Sequence, residues 1–133
     1  ISACLVGSEM CIRDRLNYLA YSWLERNYKI ELSMEMLKEA YDLRKNDPYI
    51  TDSLGWGYYL INDFENAEKY LKKAVELMPY DPIVNDHYGD ILWMLNRKIQ
   101  ARYFWNNVLN LDETDDEMKI DVKKKIIYGI EKT

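Results

Sequence analysis

The chain has 133 residues, 48% of them hydrophobic and 31% charged, with a formal net charge of −5. That length and apolar content suit one domain with its own buried core. The negative balance argues against a nucleic-acid backbone as partner, because such proteins usually present a basic face that releases counterions. No stretch has the roughly 18 consecutive apolar residues that a membrane-spanning helix needs.

Residues 1–15, ISACLVGSEMCIRDR, share neither the period nor the Tyr, Asn and Lys richness of residues 16–133, and position 1 is not an initiator Met. The apolar run from Ile1 to Val6 is too short for a signal-peptide core and has no positive charges before it. CLVGSEMCIRDR resembles translated sequencing-adaptor DNA, so residues 1–15 are expected to be a non-native, disordered segment. Cys4 and Cys11 are the two cysteines of the chain and both fall inside it, so they carry no redox information. Nothing in such a tail would fix the geometry of a disulfide between them. The cysteine-free remainder suits a cytoplasm and a bacterial periplasm equally, which leaves the compartment open.

The first unit, about 16–46, opens with Asn17-Tyr18-Leu19-Ala20-Tyr21-Ser22-Trp23, which matches Asp52-Ser53-Leu54-Gly55-Trp56-Gly57-Tyr58 position for position. Helices are expected over about 16–26 and 31–45, joined by a polar turn around Asn27 that holds one extra residue; Ser33 stands where the later units have alanine. The second unit, about 47–80, is the best punctuated. Asp47 is placed to cap a helix whose first residue, Pro48, has no donor to lose. Gly55 and Gly57 lower the intrinsic helicity of this helix, about 48–61, by about 1 kcal/mol each, which close helix–helix approach must offset. Asn62-Asp63 ends it and caps a helix carrying Phe64, Ala67, Tyr70, Leu71, Ala74, Leu77 and Met78 at helical spacing, stopped by Pro79.

The third unit, about 81–113, repeats the scheme: Asp81-Pro82 answers Asp47-Pro48, Asp86 answers Asp52, Gly89 answers Gly55, Ala101 answers Ala67 and Val108 answers Ala74, all 34 residues on. Its helices are expected over about 82–95 and 98–111. Tyr88 and Trp105 replace leucines, and Glu113 replaces the proline, so that Asp112 is expected to set the exit turn. Thr114 with Glu117 reads as a capping box opening a last helix, about 115–131, with Met118, Val122, Ile126, Ile127 and Ile130 as its apolar stripe.

No catalytic or cofactor-binding constellation emerges. His87 has Asp86 and Asp90 on its own helix, but it lies about 100° round the helix from Asp86, and no further donors have ligand-like spacing; a solvated acidic face with a partly exposed histidine is expected. No Gly-rich phosphate loop, serine elbow or paired-cysteine motif occurs. Catalysis, cofactor and metal are therefore not expected. Lys123-Lys124-Lys125 is read as a solvated helix face, with Asp121 and Glu131 nearby.

The 34-residue period together with Leu54-Gly55, Tyr58, Ala67, Leu71, Ala74 and Pro79 resembles the tetratricopeptide repeat. The resemblance implies an all-α fold, an α-α superhelix of antiparallel helix pairs with a polar capping helix, and an array that began upstream of Leu16. It implies an interaction scaffold whose first helices line a concave groove for an extended peptide or partner helix, or alternatively the regulatory or substrate-presenting region of a larger enzyme such as a peptidase or transferase. The groove positions by analogy are Asn17 and Tyr21, then Asp52, Trp56 and Tyr59, then Asp86, Asp90 and Trp93. Family members that clamp a C-terminal carboxylate use lysine, arginine and asparagine there, and of these Asn17 alone is present. An acidic, aromatic groove points to a basic or basic–aromatic peptide; the alternative is that the aromatics pack on neighbouring helices and the aspartates serve solubility.

Overall fold

The computed structural model describes residues 9 to 131, with side chains from residue 15 onward. Seven helices succeed one another: α1 (Glu9–Glu25), α2 (Ile30–Leu43), α3 (Pro48–Leu60), α4 (Phe64–Leu77), α5 (Pro82–Met94), α6 (Lys98–Asn110) and α7 (Asp116–Tyr128). They pair as α1–α2, α3–α4 and α5–α6, each pair packs on the next, and α7 closes the stack against α6. Among the described residues there is no strand.

Local chemistry sets the boundaries. The carboxylate of Asp47 accepts the backbone N–H groups of Tyr49 and Ile50 at 2.9 and 3.2 Å. Asp81 accepts that of Val84 at 2.9 Å, and a proline occupies the first turn after each of these caps. Within each unit the turn is made by an asparagine with positive φ: Asn27 at 54°, Asn62 at 65° and Asn96 at 63°. Asparagine tolerates this left-handed conformation, and the residue after it reaches back over the turn, as Asp63 N–H does to the Tyr58 carbonyl at 2.9 Å and Arg97 N–H to that of Leu92 at 2.9 Å. The extra residue of the first unit lengthens its turn, and Lys29, also at positive φ, precedes α2 without a side-chain cap.

Three expectations need correction. The first helix, expected over about 16–26, begins at Glu9 as α1; residues 1–8, with Cys4, lie outside the described residues. Helix α7 is capped by Asp115, whose carboxylate accepts Met118 N–H at 2.8 Å, not by a Thr114–Glu117 box. Thr114 is buried and its hydroxyl donates to the Val108 carbonyl at 2.6 Å, so this side chain, not Asp112, ties the exit turn. Gly129, with φ 72°, ends α7 against Trp93.

The core is a column of small and large side chains between paired helices. Ala20, Ser33, Ala67, Leu71, Ala74, Ala101, Trp105 and Val108 are wholly buried. A Cβ on Gly55 would stand 2.7 Å from Leu71 Cγ, and one on Gly89 would stand 2.5 Å from Trp105 Cδ1. Both glycines therefore sit where the two helices of one unit cross. Gly57 instead faces Met34 and Leu24 of the preceding unit. In the first unit, Ser33 puts a buried hydroxyl in alanine's place, with no hydrogen-bond partner among the described residues.

Two substitutions probe this packing. Gly55→Leu is expected to cost about 1–3 kcal/mol by overpacking, despite leucine's better helix propensity; a rise in the urea midpoint would show that the crossing is misplaced. Ser33→Ala is expected to raise stability by about 1 kcal/mol, since it removes an unsatisfied buried hydroxyl and favours the helix; a lowered midpoint would contradict that.

Candidate functional site

The first helices of the units form the inner side of the curve. Helix α1 touches α3, and α3 touches α5, without comparable contact between α2 and α4 or between α4 and α6. A side chain of α1 even reaches one of α5: the Tyr21 hydroxyl lies 3.5 Å from His87 Nε2. On this inner face the structure brings together most of the residues read as groove positions.

Asp52, Trp56 and His87 form its centre. His87 Nδ1 is 3.0 Å from each carboxylate oxygen of Asp52, a contact that joins α5 to α3. Trp56 stacks on His87 with ring centroids 4.0 Å apart, and on Tyr59 at 4.6 Å. Contrary to the expectation of partial exposure, His87 is only 6% exposed, because its partner is the aspartate of the preceding unit and not the acids of its own helix. Burial opposes a charge on the imidazole, but the Asp52 carboxylate, helped by Asp86 and Asp90, outweighs it and holds the histidine above its ordinary pKa. Tyr21, with Glu25 alongside, and Tyr59, close to Asp90 and Asp86, are pushed far up by burial and by these carboxylates, so both phenols stay protonated.

A second cluster lies one unit on. Lys125 of α7 donates to Asp86 at 2.9 Å and to both oxygens of Asp90 at 3.0 and 3.2 Å. The Trp105 indole N–H donates to Asp90 at 3.1 Å. Burial and the neighbouring Asp86 raise the Asp90 carboxyl to about 6, against the pull of Lys125 and His87. Trp93 gives its N–H to the Ile130 carbonyl at 3.2 Å and has Lys98 Nζ 4.9 Å and Arg102 Cζ 5.1 Å from its ring. The cations drawn to the aspartates and to Trp93 are thus the chain's own. Lys125, read as part of a solvated face, is half-buried, whereas Lys123 and Lys124 are exposed. Asn17 is half-buried at the far end of the face, and its side-chain oxygen has no partner among the described residues.

What remains accessible on the inner face is Tyr21, Trp56, Asp86 and Trp93, each half-buried, with Glu25 exposed beside Tyr21. The arrangement can hold a ligand but offers no nucleophile with an adjacent base, and among the described residues no group of His, Cys, Asp and Glu could hold a metal ion. No described helix is long and apolar enough to cross a membrane.

Comparison with known proteins gives the fold a name. No protein-family model matches the chain. A TPR repeat-containing protein of Pseudomonas aeruginosa is 36% identical over 56 residues, 42% of this chain and 10% of that protein, so the chain spans about a tenth of that relative's length. Among solved structures, the first TPR of Spaghetti (RPAP3) bound to the HSP90 peptide SRMEEVD is similar with a TM-score of 0.72 and 16% identity, over 90% of this chain and 94% of that one. The type III secretion translocator chaperone SycD of Yersinia enterocolitica is similar with a TM-score of 0.76 and 16% identity, over 94% and 88% of the two chains. Its complex with a peptide of the translocator YopD gives 0.74 and 15%, over 93% and 95%. The chain has the tetratricopeptide-repeat fold, and its all-helical, seven-helix stack is that α-α superhelix.

The histidine makes the stack sensitive to pH. Its folded pKa lies above the unfolded value of about 6.5, so its stabilisation is complete below that pH and is lost as pH rises through the folded value. Unfolding in urea is expected to show wild type losing stability as pH rises above about 6.5, while His87→Gln is less stable at pH 6.5 and lacks that slope. An unchanged slope in the variant would exclude His87 as its source.

Proposed function

We propose that the chain is a protein-interaction module that holds an extended peptide or a partner helix across its inner face. The observation that carries this reading is that Tyr21, Asp52, Trp56 and His87, from three different units, fix one another by hydrogen bonding and stacking. A face held in this way loses little conformational entropy when a ligand settles on it, which favours affinity. Two structures of the same fold, those of RPAP3 and SycD, have peptides bound, which supports the same use here.

The ligand over units one to three is a basic or basic–aromatic segment. Three carboxylates, Asp52, Asp86 and Asp90, face two internal cations, His87 and Lys125, and the exposed Glu25 adds to the negative side. Half-buried ring edges of Tyr21, Trp56 and Trp93 supply apolar and aromatic contact between the charges. The exposed carboxylate is the one to alter, because Asp52 and Asp90 are too deeply buried to lose their charge without harming the fold.

Glu25→Lys is expected to leave the melting temperature within about 2 °C and to weaken binding of a labelled pool of lysine- and arginine-rich nonapeptides at least threefold at low salt, with a smaller effect at high salt. Fluorescence polarisation reads both. Absence of binding by wild type, or indifference to Glu25→Lys, would overturn the assignment of a basic ligand to this face.

A further inference from the structure

Helix α7 does more than close the stack: its register makes it a fourth member of the inner series. Its cap, Asp115, lies 34 residues after Asp81, itself 34 after Asp47, and all three carboxylates accept N–H groups of the first turn. Val122 then falls where Leu54 and Tyr88 fall, and all three are buried. On the same register Ile120 follows Asp52 and Asp86, Lys124 follows Trp56 and Asp90, and Ile127 follows Tyr59 and Trp93. These three residues therefore continue the inner face by one rung.

Their exposure sets this rung apart. The corresponding side chains of α3 and α5 are buried or half-buried and held by hydrogen bonds or ring stacking, whereas Ile120 is 56% and Ile127 66% exposed, with Lys124 exposed between them. Lys123, also exposed, stands three residues from Ile120 and four from Ile127, so it borders the same strip. Asp116, Glu117 and Glu131 lie a turn beyond the strip at its ends, and the exposed Asp121 borders it three residues before Lys124. Two bare aliphatic side chains flanking a pair of ammonium groups match an apolar side chain with a carboxylate beside it.

We propose that α7 is a recognition rung, and that it takes an aliphatic or aromatic anchor flanked by Asp or Glu in the partner. The proposal rests on the peptide-binding reading above and adds the chemistry of the ligand's other end. A segment that carries basic residues over units one to three and an acid-flanked anchor over α7 is held in one direction, because reversing it sets like charges against each other at both ends.

The test uses two labelled nonapeptide pools on the full chain: one with a central Leu, Ile or Phe flanked by Asp and Glu, the other with the same anchors flanked by Lys and Arg. Ile127→Asp is expected to weaken the acid-flanked pool at least tenfold and Lys124→Glu at least fivefold. Both changes are on exposed side chains and should leave the melting temperature in place. Binding of the acid-flanked pool that ignores the α7 variants overturns the proposal, and so does a pool preference for basic flanks that α7 variants do not alter. A dimer in sedimentation that Ile127→Asp dissociates would assign the strip to a second copy instead. If the basic pool still binds and responds to Glu25→Lys, only the α7 rung has failed; if neither pool binds wild type, the peptide-binding reading fails with it.

Discussion

Two carboxylates buried where the first helices converge, Asp52 and Asp90, are the constraint on which the rest of this structure depends. Removing an ion from water costs several kcal/mol, and the cost is met only by a well-placed counter-charge with hydrogen bonds to the remaining lone pairs. Asp52 finds that partner in His87 of the following unit, and Asp90 finds it in Lys125 of α7 and the indole of Trp105. Each solution crosses an element boundary. The ionic contacts therefore fix the angle between units, which a purely apolar column would leave more tolerant, and a unit displaced from its neighbour would strand a buried charge.

The third unit shows how one substitution propagates. Where the second unit closes Leu71 over Gly55, the third closes Trp105 over Gly89, and the larger ring brings a buried N–H that needs an acceptor. Asp90 supplies it from the helix opposite, at a position where the second unit has Trp56. The carboxylate then needs a cation, and Lys125 arrives from α7 at the position where the third unit has Ile91 and the second has Gly57. An enlarged core residue, a buried acid and a lysine in the cap thus form one dependency. It also accounts for a lysine on the face of α7 that turns toward the core.

The helices, their pairing and most of their caps are legible in the sequence because they rest on local signals that repeat: aspartate before proline, asparagine at a left-handed turn, glycine or alanine where helices cross. The cap of α7 is legible too, but in the period and not in the motif. Asp115 continues the series Asp47 and Asp81, whereas the Ser/Thr-x-x-Glu pattern points to Thr114. The pairing of the inner acids is hidden for a different reason. Within one helix His87 belongs with Asp86 and Asp90, and only the stacking of units brings Asp52 to it. The rule that reveals it is a spacing of one residue more than the repeat, since Asp52 to His87 and Asp90 to Lys125 are both separations of 35. A position on one first helix meets the next position on the following one, and opposite charges at that distance are candidates for a buried pair.

The same register sets α7 apart from the first helices that precede it. A second helix can close on a first helix only where a glycine or alanine lets the backbones approach, as at Ala20, Gly55 and Gly89. In α7 that position is Lys123, an exposed side chain where the earlier first helices carry a buried alanine or glycine. A helix that served only as a lid would be polar on every face turned from the core, because bare aliphatic surface in water is a liability. Ile126 and Ile130 meet this requirement by packing against the third unit. Ile120 and Ile127 do not; they remain exposed on the curve where the preceding units present their aromatic and charged side chains. Apolar surface in line with a preorganised face, bordered by two exposed ammonium groups, has the composition of a contact surface rather than that of a solubilising cap.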